Sequence, residues 1–185
     1  MLVKHRPPVF TDVSPTPAAG FEHIPGSALT VLSWLTASRV EFVLVGAIAR
    51  ALRFEPAASG PVAIVPAPYA RNLDRLARTL TVAQARLRSD HVLLQATNPP
   101  REPAIRFTSK MFVRPERWSL RCGQYDLDIE GRPVGAPSYQ ELVYEAVRVR
   151  LSAELSVDVA ALEDVQHYDH VRRTGVVPEM TVSRL

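Results

Sequence analysis

The chain has 185 residues, of which 46% are hydrophobic and 22% charged, a composition typical of a globular protein with one substantial core. No stretch approaches about 18 uninterrupted apolar residues, and the N-terminus lacks the apolar run of a secretory signal, so we expect a cytoplasmic protein with no membrane partner. The single cysteine, Cys122, excludes an intrachain disulfide and a multi-cysteine zinc site. A net charge of +3 does not by itself indicate nucleic-acid binding.

The prolines and apolar runs divide the chain into three segments. Residues 1–26 hold five prolines and no sustained periodicity, which predicts an extended arm. Residues 27–175 carry the regular apolar patterns and are predicted to form one domain. Residues 176–185 are predicted to be a tail.

The first half of the domain predicts helices that alternate with short buried strands. Ser27 is a candidate N-cap for a helix over 28–38. A continuous apolar run then predicts a buried strand over 41–46, and Gly46 begins a helix over 47–54. Three further elements are predicted after it: a strand at 61–66, an amphipathic helix at 69–80, and a weaker helix or turn that ends near 88.

The second half predicts a hairpin, a helix, two strands and a last helix. It begins with a stretch broken by prolines that holds two candidate strands, at 91–95 and 105–107. Two clearer strands are predicted to form a hairpin, at 118–122 and 125–130 with Gly123-Gln124 between them. A Ser-x-x-Glu capping box and the later periodicity predict the rest: a helix at 139–145 capped by Ser138 and Glu141, strands through 147–151 and 155–159, and a helix at 161–174 that Gly175 ends.

Together these elements predict an α/β or α+β domain, with a mixed sheet of five or six strands and helices packed on it. Side chains alternate along a strand, so Asp126, Asp128 and Glu130 share one face of the second hairpin strand. Three carboxylates repel one another unless they are solvated or neutralised by cations. The preferred interpretation is a solvated outer face of an amphipathic strand.

Four stretches form a recognisable series in chain order: Phe42-Val43-Leu44-Val45-Gly46-Ala47-Ile48-Ala49, Asp128-Ile129-Glu130-Gly131-Arg132, Ser138-Tyr139-Gln140-Glu141-Leu142 and Val159-Ala160-Ala161-Leu162-Glu163-Asp164-Val165. In this order they resemble the bacterial nucleotidyltransferase-fold proteins, and within them the AbiEii-like group associated with toxin–antitoxin systems. The resemblance covers residues from about 40 to 175. It implies a nucleotidyltransferase-like mixed sheet with helices packed on it.

The resemblance also implies transfer of a nucleotidyl group from a nucleoside triphosphate. Family members hold the triphosphate with backbone amides at a glycine turn, which corresponds here to Gly46 and Ala47. Arg50, one helical turn further on, is in a position to meet a phosphate. We therefore expect Gly46, Ala47 and Arg50 to be the nucleotide-binding residues.

The metal ligands of the family are incomplete in this sequence. Its members bind two divalent cations between an Asp-x-Asp pair on the second strand and a third carboxylate on a neighbouring strand. The third carboxylate corresponds to Asp128, but the two positions of the pair fall on Pro61 and Ala63. Neither side chain can bind a metal, so the conventional chemistry is expected to be lost.

Three hypotheses follow. The first is a catalytically degenerate protein that needs no cofactor and acts as a nucleotide- or partner-binding module, with a nucleoside triphosphate, a protein or an RNA as its partner. The alternative is an active transferase with Mg²⁺ at a remodelled site made of Asp126 and Asp128, in which Asp128 is catalytic. The third is an antitoxin-like partner of an active nucleotidyltransferase.

Overall fold

The computed structural model describes residues 13–88, 105–132 and 135–174. The helices are α1 (Gly26–Ala37), α2 (Gly46–Arg53), α3 (Ala70–Val82), α4 (Tyr139–Glu145) and α5 (Leu162–Thr174), together with a 3-10 helix (Ser109–Val113). The strands are β1 (Phe42–Val45), β2 (Val62–Pro66), β3 (Arg86–Leu87), β4 (Trp118–Cys122), β5 (Tyr125–Ile129), β6 (Val147–Arg150) and β7 (Ser156–Val159). None of the helices in these ranges combines the length and the hydropathy needed to cross a bilayer.

The described strands form one sheet in the order β3-β4-β5-β2-β1-β7-β6. Strand β1 is parallel to β7 and β2 is parallel to β5, whereas the other neighbours are antiparallel. Helix α1 packs against β2 and β5, α2 against β1, β2 and α5, and both α4 and α5 against β1. The predicted mixed α/β architecture is therefore confirmed.

One continuous row of apolar side chains crosses six strands. Residues paired on neighbouring strands share a face, and the registers place six residues in line: Trp118, Ile129, Ile64, Leu44, Val159 and Val147. The four central members are at most 1% exposed, so this row forms the middle of the core. The adjacent row contains Ser119, Asp128, Ala63 and Val45, so it places the polar Ser119 and Asp128 beside two apolar residues.

Several local predictions are confirmed. Strands β4 and β5 pair as a hairpin in which Cys122 is opposite Tyr125, and Gly123 takes a positive φ of 63° in the turn. Both halves of the capping box are present at the start of α4: the Ser138 hydroxyl accepts from Glu141 N, and the Glu141 carboxylate accepts from Ser138 N. The final strands and α5 also lie within the predicted ranges.

Other local predictions are wrong. Helix α1 begins at Gly26 with Pro25 as its N-cap, and no side chain caps it, so Ser27 lies inside the first turn. Residues 86–87 form a strand instead of continuing a helix or turn, because they pair with β4. The stretch 105–107 is irregular and leads into the 3-10 helix, and residues 91–95 lie outside the described residues.

The described part of the N-terminal arm lies on the domain. Ala18 N donates to Leu151 O at 2.7 Å, and His23 Nε2 is 3.0 Å from Ala51 O. The Ser14 hydroxyl contacts the Thr30 hydroxyl at 2.7 Å. Residues 1–12 and 175–185 lie outside the described residues, so the limits of the arm and tail stay predictions, as does the helix stop at Gly175.

Candidate functional site

Strands β2 and β5 bring Ala63 next to Asp128. The two strands run in parallel, and these residues are partners in the register. On its other side Ala63 is opposite Val45, the residue that precedes Gly46. Three neighbouring strands therefore carry the parts of the predicted site in order: the Gly46 turn after β1, Ala63 on β2, and Asp128 on β5. With strands about 4.8 Å apart, the turn and Asp128 are separated by about 10 Å.

The Asp128 carboxylate is completely buried and is enclosed by two arginines. Arg117 Nη2 donates to its Oδ2, and Arg88 Nη2 lies 3.3 Å from its Oδ1 in an ion pair that lacks hydrogen-bond geometry. Removing a carboxylate from water costs several kcal/mol, so a buried carboxylate is tolerated only where opposite charges compensate it. The prediction of a solvated outer face for this strand is therefore wrong at its centre.

The same arginines connect the other two carboxylates of the strand. Arg88 Nη1 lies 3.6 Å from Asp126 Oδ2, and Arg117 Nε lies 3.6 Å from Glu130 Oε1. Arg121 also donates to Asp126 at 2.9 Å, and Glu130 is only 8% exposed. We call these six residues the arginine–carboxylate cluster: Arg88, Arg117, Arg121, Asp126, Asp128 and Glu130. Its three formal positive charges match its three negative charges.

The arginines of the cluster were not identified from the sequence, although one signal was available. Residues 117, 119 and 121 alternate with the apolar residues of β4, which places Arg117 and Arg121 on the face that carries the β5 carboxylates. No such signal exists for Arg88. It is positioned by its N–H, which donates to Ser119 O at 2.8 Å and extends the β3–β4 pairing.

The predicted nucleotide-binding residues lie at the start of α2. Gly46 has a φ of 70°, which only glycine adopts without strain, and both Gly46 and Ala47 are buried. A Cβ on Gly60 would lie 2.9 Å from the Ala47 Cβ, so the loop before β2 packs directly on this turn. Arg50 is ion-paired with Asp169 of α5. These three residues therefore lie close together, but Gly46 and Ala47 are buried and the half-buried Arg50 is held in an ion pair.

An open cavity of about 290 Å³ lies at the loop before β2, whose Gly60 packs against Ala47. It is formed by the first turn of α1, the loop before β2 and the β4–β5 hairpin, and its lining includes Ser27, Pro61, Gln124, Tyr125 and Asp126. Asp128 is not part of the lining. Within the described residues, no group of three or more histidine, cysteine, aspartate or glutamate side chains is arranged to hold a metal ion.

Cys122 lies at the end of β4 and is completely buried. Burial, with a smaller contribution from the negative charge of Asp126, raises the pKa of its thiol to about 12. Because the thiolate is the reactive form, this cysteine is a packing residue at neutral pH and not a nucleophile.

The comparisons with known proteins do not assign the chain to a family. No protein-family model matches it, and no significant match is found among curated proteins.

Proposed function

We propose that this chain is a nucleotidyltransferase-fold protein that is catalytically silent and acts as a binding module. The observation that carries the proposal is the register of β2 and β5, in which Ala63 is the immediate neighbour of Asp128. In the family that the sequence resembles, a metal-binding carboxylate of the second strand would face the third carboxylate. Here a methyl group occupies the place of that ligand.

The charges around Asp128 support the same proposal. A two-metal site needs several open oxygen ligands on one face, because each Mg²⁺ takes six ligands at about 2.1 Å. Both Asp128 oxygens face guanidinium groups, and Arg88 also faces Asp126. A divalent cation at this point would have to displace two positively charged side chains, so the residues present do not fit a magnesium site.

The surroundings of Gly46 argue against nucleotide binding at this turn. Triphosphate binding requires exposed backbone amides and a free cationic side chain. Gly46 and Ala47 are buried, and the Arg50 guanidinium is engaged by Asp169 and lies 3.7 Å from Glu55. A nucleotide would have to open these contacts before it could bind at the turn.

Two measurements test the proposal. Isothermal titration with ATP, GTP, CTP and UTP in the presence of Mg²⁺ is expected to give no saturable binding at the Gly46 turn. Incubation with labelled nucleoside triphosphates, total RNA and a protein extract is expected to give no labelled product. Metal-dependent incorporation of label would overturn the silent-module proposal.

A second candidate is an active enzyme that uses Asp126 and Asp128, and the two-residue spacing of these carboxylates on one strand face is what favours it. The matched variants are Asp128→Asn and Asp158→Asn, because Asp158 is also a strand carboxylate paired with an arginine. Transfer activity that Asp128→Asn abolishes and Asp158→Asn leaves intact would establish this candidate. Activity indifferent to both changes would exclude it.

A further inference from the structure

Among the described strands β6 is at one edge of the sheet, and its outer side presents main-chain groups that are arranged to accept another strand. Ala160 N donates to Leu44 O, so the main-chain groups of Ala160 point toward β1. Successive residues of a strand point to opposite sides, so the main-chain groups of Val157 and Val159 point toward β6. Their partners Val149 and Val147 point back toward β7. The N–H and C=O groups of the intervening residues, Arg148 and Arg150, therefore point away from the sheet.

The side chains of these two arginines lie on one face of the edge and are accessible. The Arg148 side chain is 66% exposed, and its Nη1 pairs with Asp158 at 3.0 Å. Arg150 donates to the main-chain oxygens of Ser152 and Ala153 at 3.3 and 3.0 Å. The exposed ion pair of Arg148 holds its partner weakly, and the two hydrogen bonds of Arg150 use two of the five donors of its guanidinium. Both arginines therefore retain capacity for a further carboxylate.

Exposed apolar residues lie on the chain immediately before and within β6. Tyr144 at the end of α4 is 86% exposed, and Val143 and Val147 are 41% and 45% exposed. Tyrosine and apolar residues that are accessible beside a polar rim are typical of binding surfaces. The edge therefore offers both backbone hydrogen bonds and an apolar anchor.

A second copy of the same strand does not fit this edge. In an antiparallel continuation of the sheet, the outward-pointing residues must pair with one another. When two copies of β6 overlap along most of their length, Arg148 of one copy lies opposite either Arg148 or Arg150 of the other. Like charges in directly opposite positions are destabilising, so the arginines oppose self-association and favour a negatively charged strand.

We propose that β6 binds an extended segment of a partner protein, which adds to the sheet as an antiparallel strand with acidic residues opposite Arg148 and Arg150 and apolar residues between them. Strand β7 already shows this pattern on the inner side, where Asp158 is opposite Arg148 between Val157 and Val159. Strand addition obtains its affinity from main-chain hydrogen bonds and its specificity from alternate side chains. This inference goes beyond the proposed function and does not depend on the β5 site.

The test uses a fluorescein-labelled peptide of the sequence Thr-Val-Glu-Val-Glu-Val-Thr and the full chain, with binding followed by fluorescence polarisation. The peptide is expected to bind, and a version with glutamine in place of glutamate is expected to bind at least about tenfold more weakly. N-methylation of the two main-chain amides that face the edge is expected to abolish binding, because it removes the hydrogen bonds of the added strand. The variants Arg148→Gln and Arg150→Gln are expected to weaken binding of the glutamate peptide about tenfold each.

Arg86→Gln is the matched control, since Arg86 is an exposed strand arginine at the opposite edge of the described sheet, and it is expected to leave binding unchanged. Circular dichroism of each variant checks that the fold is retained. The proposal would be overturned if the glutamine peptide or the N-methylated peptide bound as tightly as the glutamate peptide. Two other results would also overturn it. One is a wild-type dimer in analytical ultracentrifugation that the Arg148→Gln substitution dissociates, and the other is an RNA oligonucleotide that binds this edge in place of the peptide.

Discussion

The side chains of Ala63 and Asp128 lie next to each other on one face of the sheet, because β2 and β5 run in parallel with these two residues in register. A carboxylate at position 63 would face a buried carboxylate and would need a metal ion between the two. With a methyl group there, the charge of Asp128 has to be compensated from its other side, where Arg88 and Arg117 lie. The alanine at position 63 and the two arginines are therefore related, because the arginines supply the positive charge that a metal ion would otherwise provide.

The first prediction concerns the stability of the arginine–carboxylate cluster. Arg117→Met removes the donor to Asp128 Oδ2 and leaves a fully buried charge with less compensation, so the free energy of unfolding is expected to fall by about 3 kcal/mol. Urea unfolding followed by circular dichroism measures this loss.

The matched control is Arg121→Met, which removes one of the two arginines beside the more accessible Asp126 and is expected to cost less than about 1 kcal/mol. Equal losses for the two variants would contradict a special role for Asp128. A double-mutant cycle with Asp128→Asn then isolates the pairwise contribution, since Arg117→Met should cost much less once the buried charge is gone.

The local features of the fold could be predicted because short-range physical chemistry determines them. The capping box depends on Ser138 and Glu141 three positions apart, and the hairpin depends on a two-residue turn in which Gly123 adopts a positive φ. The start of α1 was missed because Pro25, with its φ fixed by the ring, takes the N-cap position ahead of Ser27.

The site could be predicted only in part, because it depends on contacts between distant segments. The sequence placed Ala63 where a metal ligand was expected, but it did not show that Asp128 would be buried. That burial requires Arg88, which reaches the cluster only through pairing of β3 with β4. A two-residue strand has too little periodicity to be recognised, so nothing in the sequence indicated that Arg88, which follows this strand, would lie beside β4.

The second prediction concerns Gly131, which follows the acidic strand. A Cβ at this position would overlap the Pro115 carbonyl group and lie 2.5 Å from Glu116 O. Backbone atoms cannot move aside as a side-chain tip can, so Gly131→Ala is expected to destabilise the protein by about 3 kcal/mol, measured by thermal or urea unfolding. Gly123→Ala is the control: it has open space around the Cβ and only its positive φ to oppose it, so it is expected to cost about 1 kcal/mol.

The third prediction concerns the reactivity of Cys122. With a thiol pKa of about 12, roughly one molecule in ten thousand carries the thiolate at pH 8, and the side chain is also inaccessible. Labelling by a water-soluble thiol reagent at pH 8 is expected to be slow in the native protein and rapid in denaturant. Fast stoichiometric labelling of the native protein, observed by mass spectrometry, would contradict the packing role assigned to this residue.

The last prediction is a pH dependence that originates at Asp164. Burial, followed by the negative charges of Glu163, Glu145 and Glu141, raises the pKa of this carboxyl above its usual range, although its place in the first turn of α5 favours the charged form. The folded protein therefore binds this proton more tightly than the unfolded chain does. Its stabilising contribution is present below the unfolded pKa and is lost as the pH rises through the folded value.

Asp164→Asn removes the charge, so the variant is expected to be more stable than the wild type at pH 7. The difference should shrink as the pH falls through the raised pKa of the folded protein, and it should be gone below about 4, where the wild-type carboxyl is protonated in both states. Unfolding temperatures between pH 4 and 8 measure the effect, with Asp74→Asn on the exposed face of α3 as the control. A gain in stability that is independent of pH would mean that the substitution acts through packing and not through the charge of Asp164.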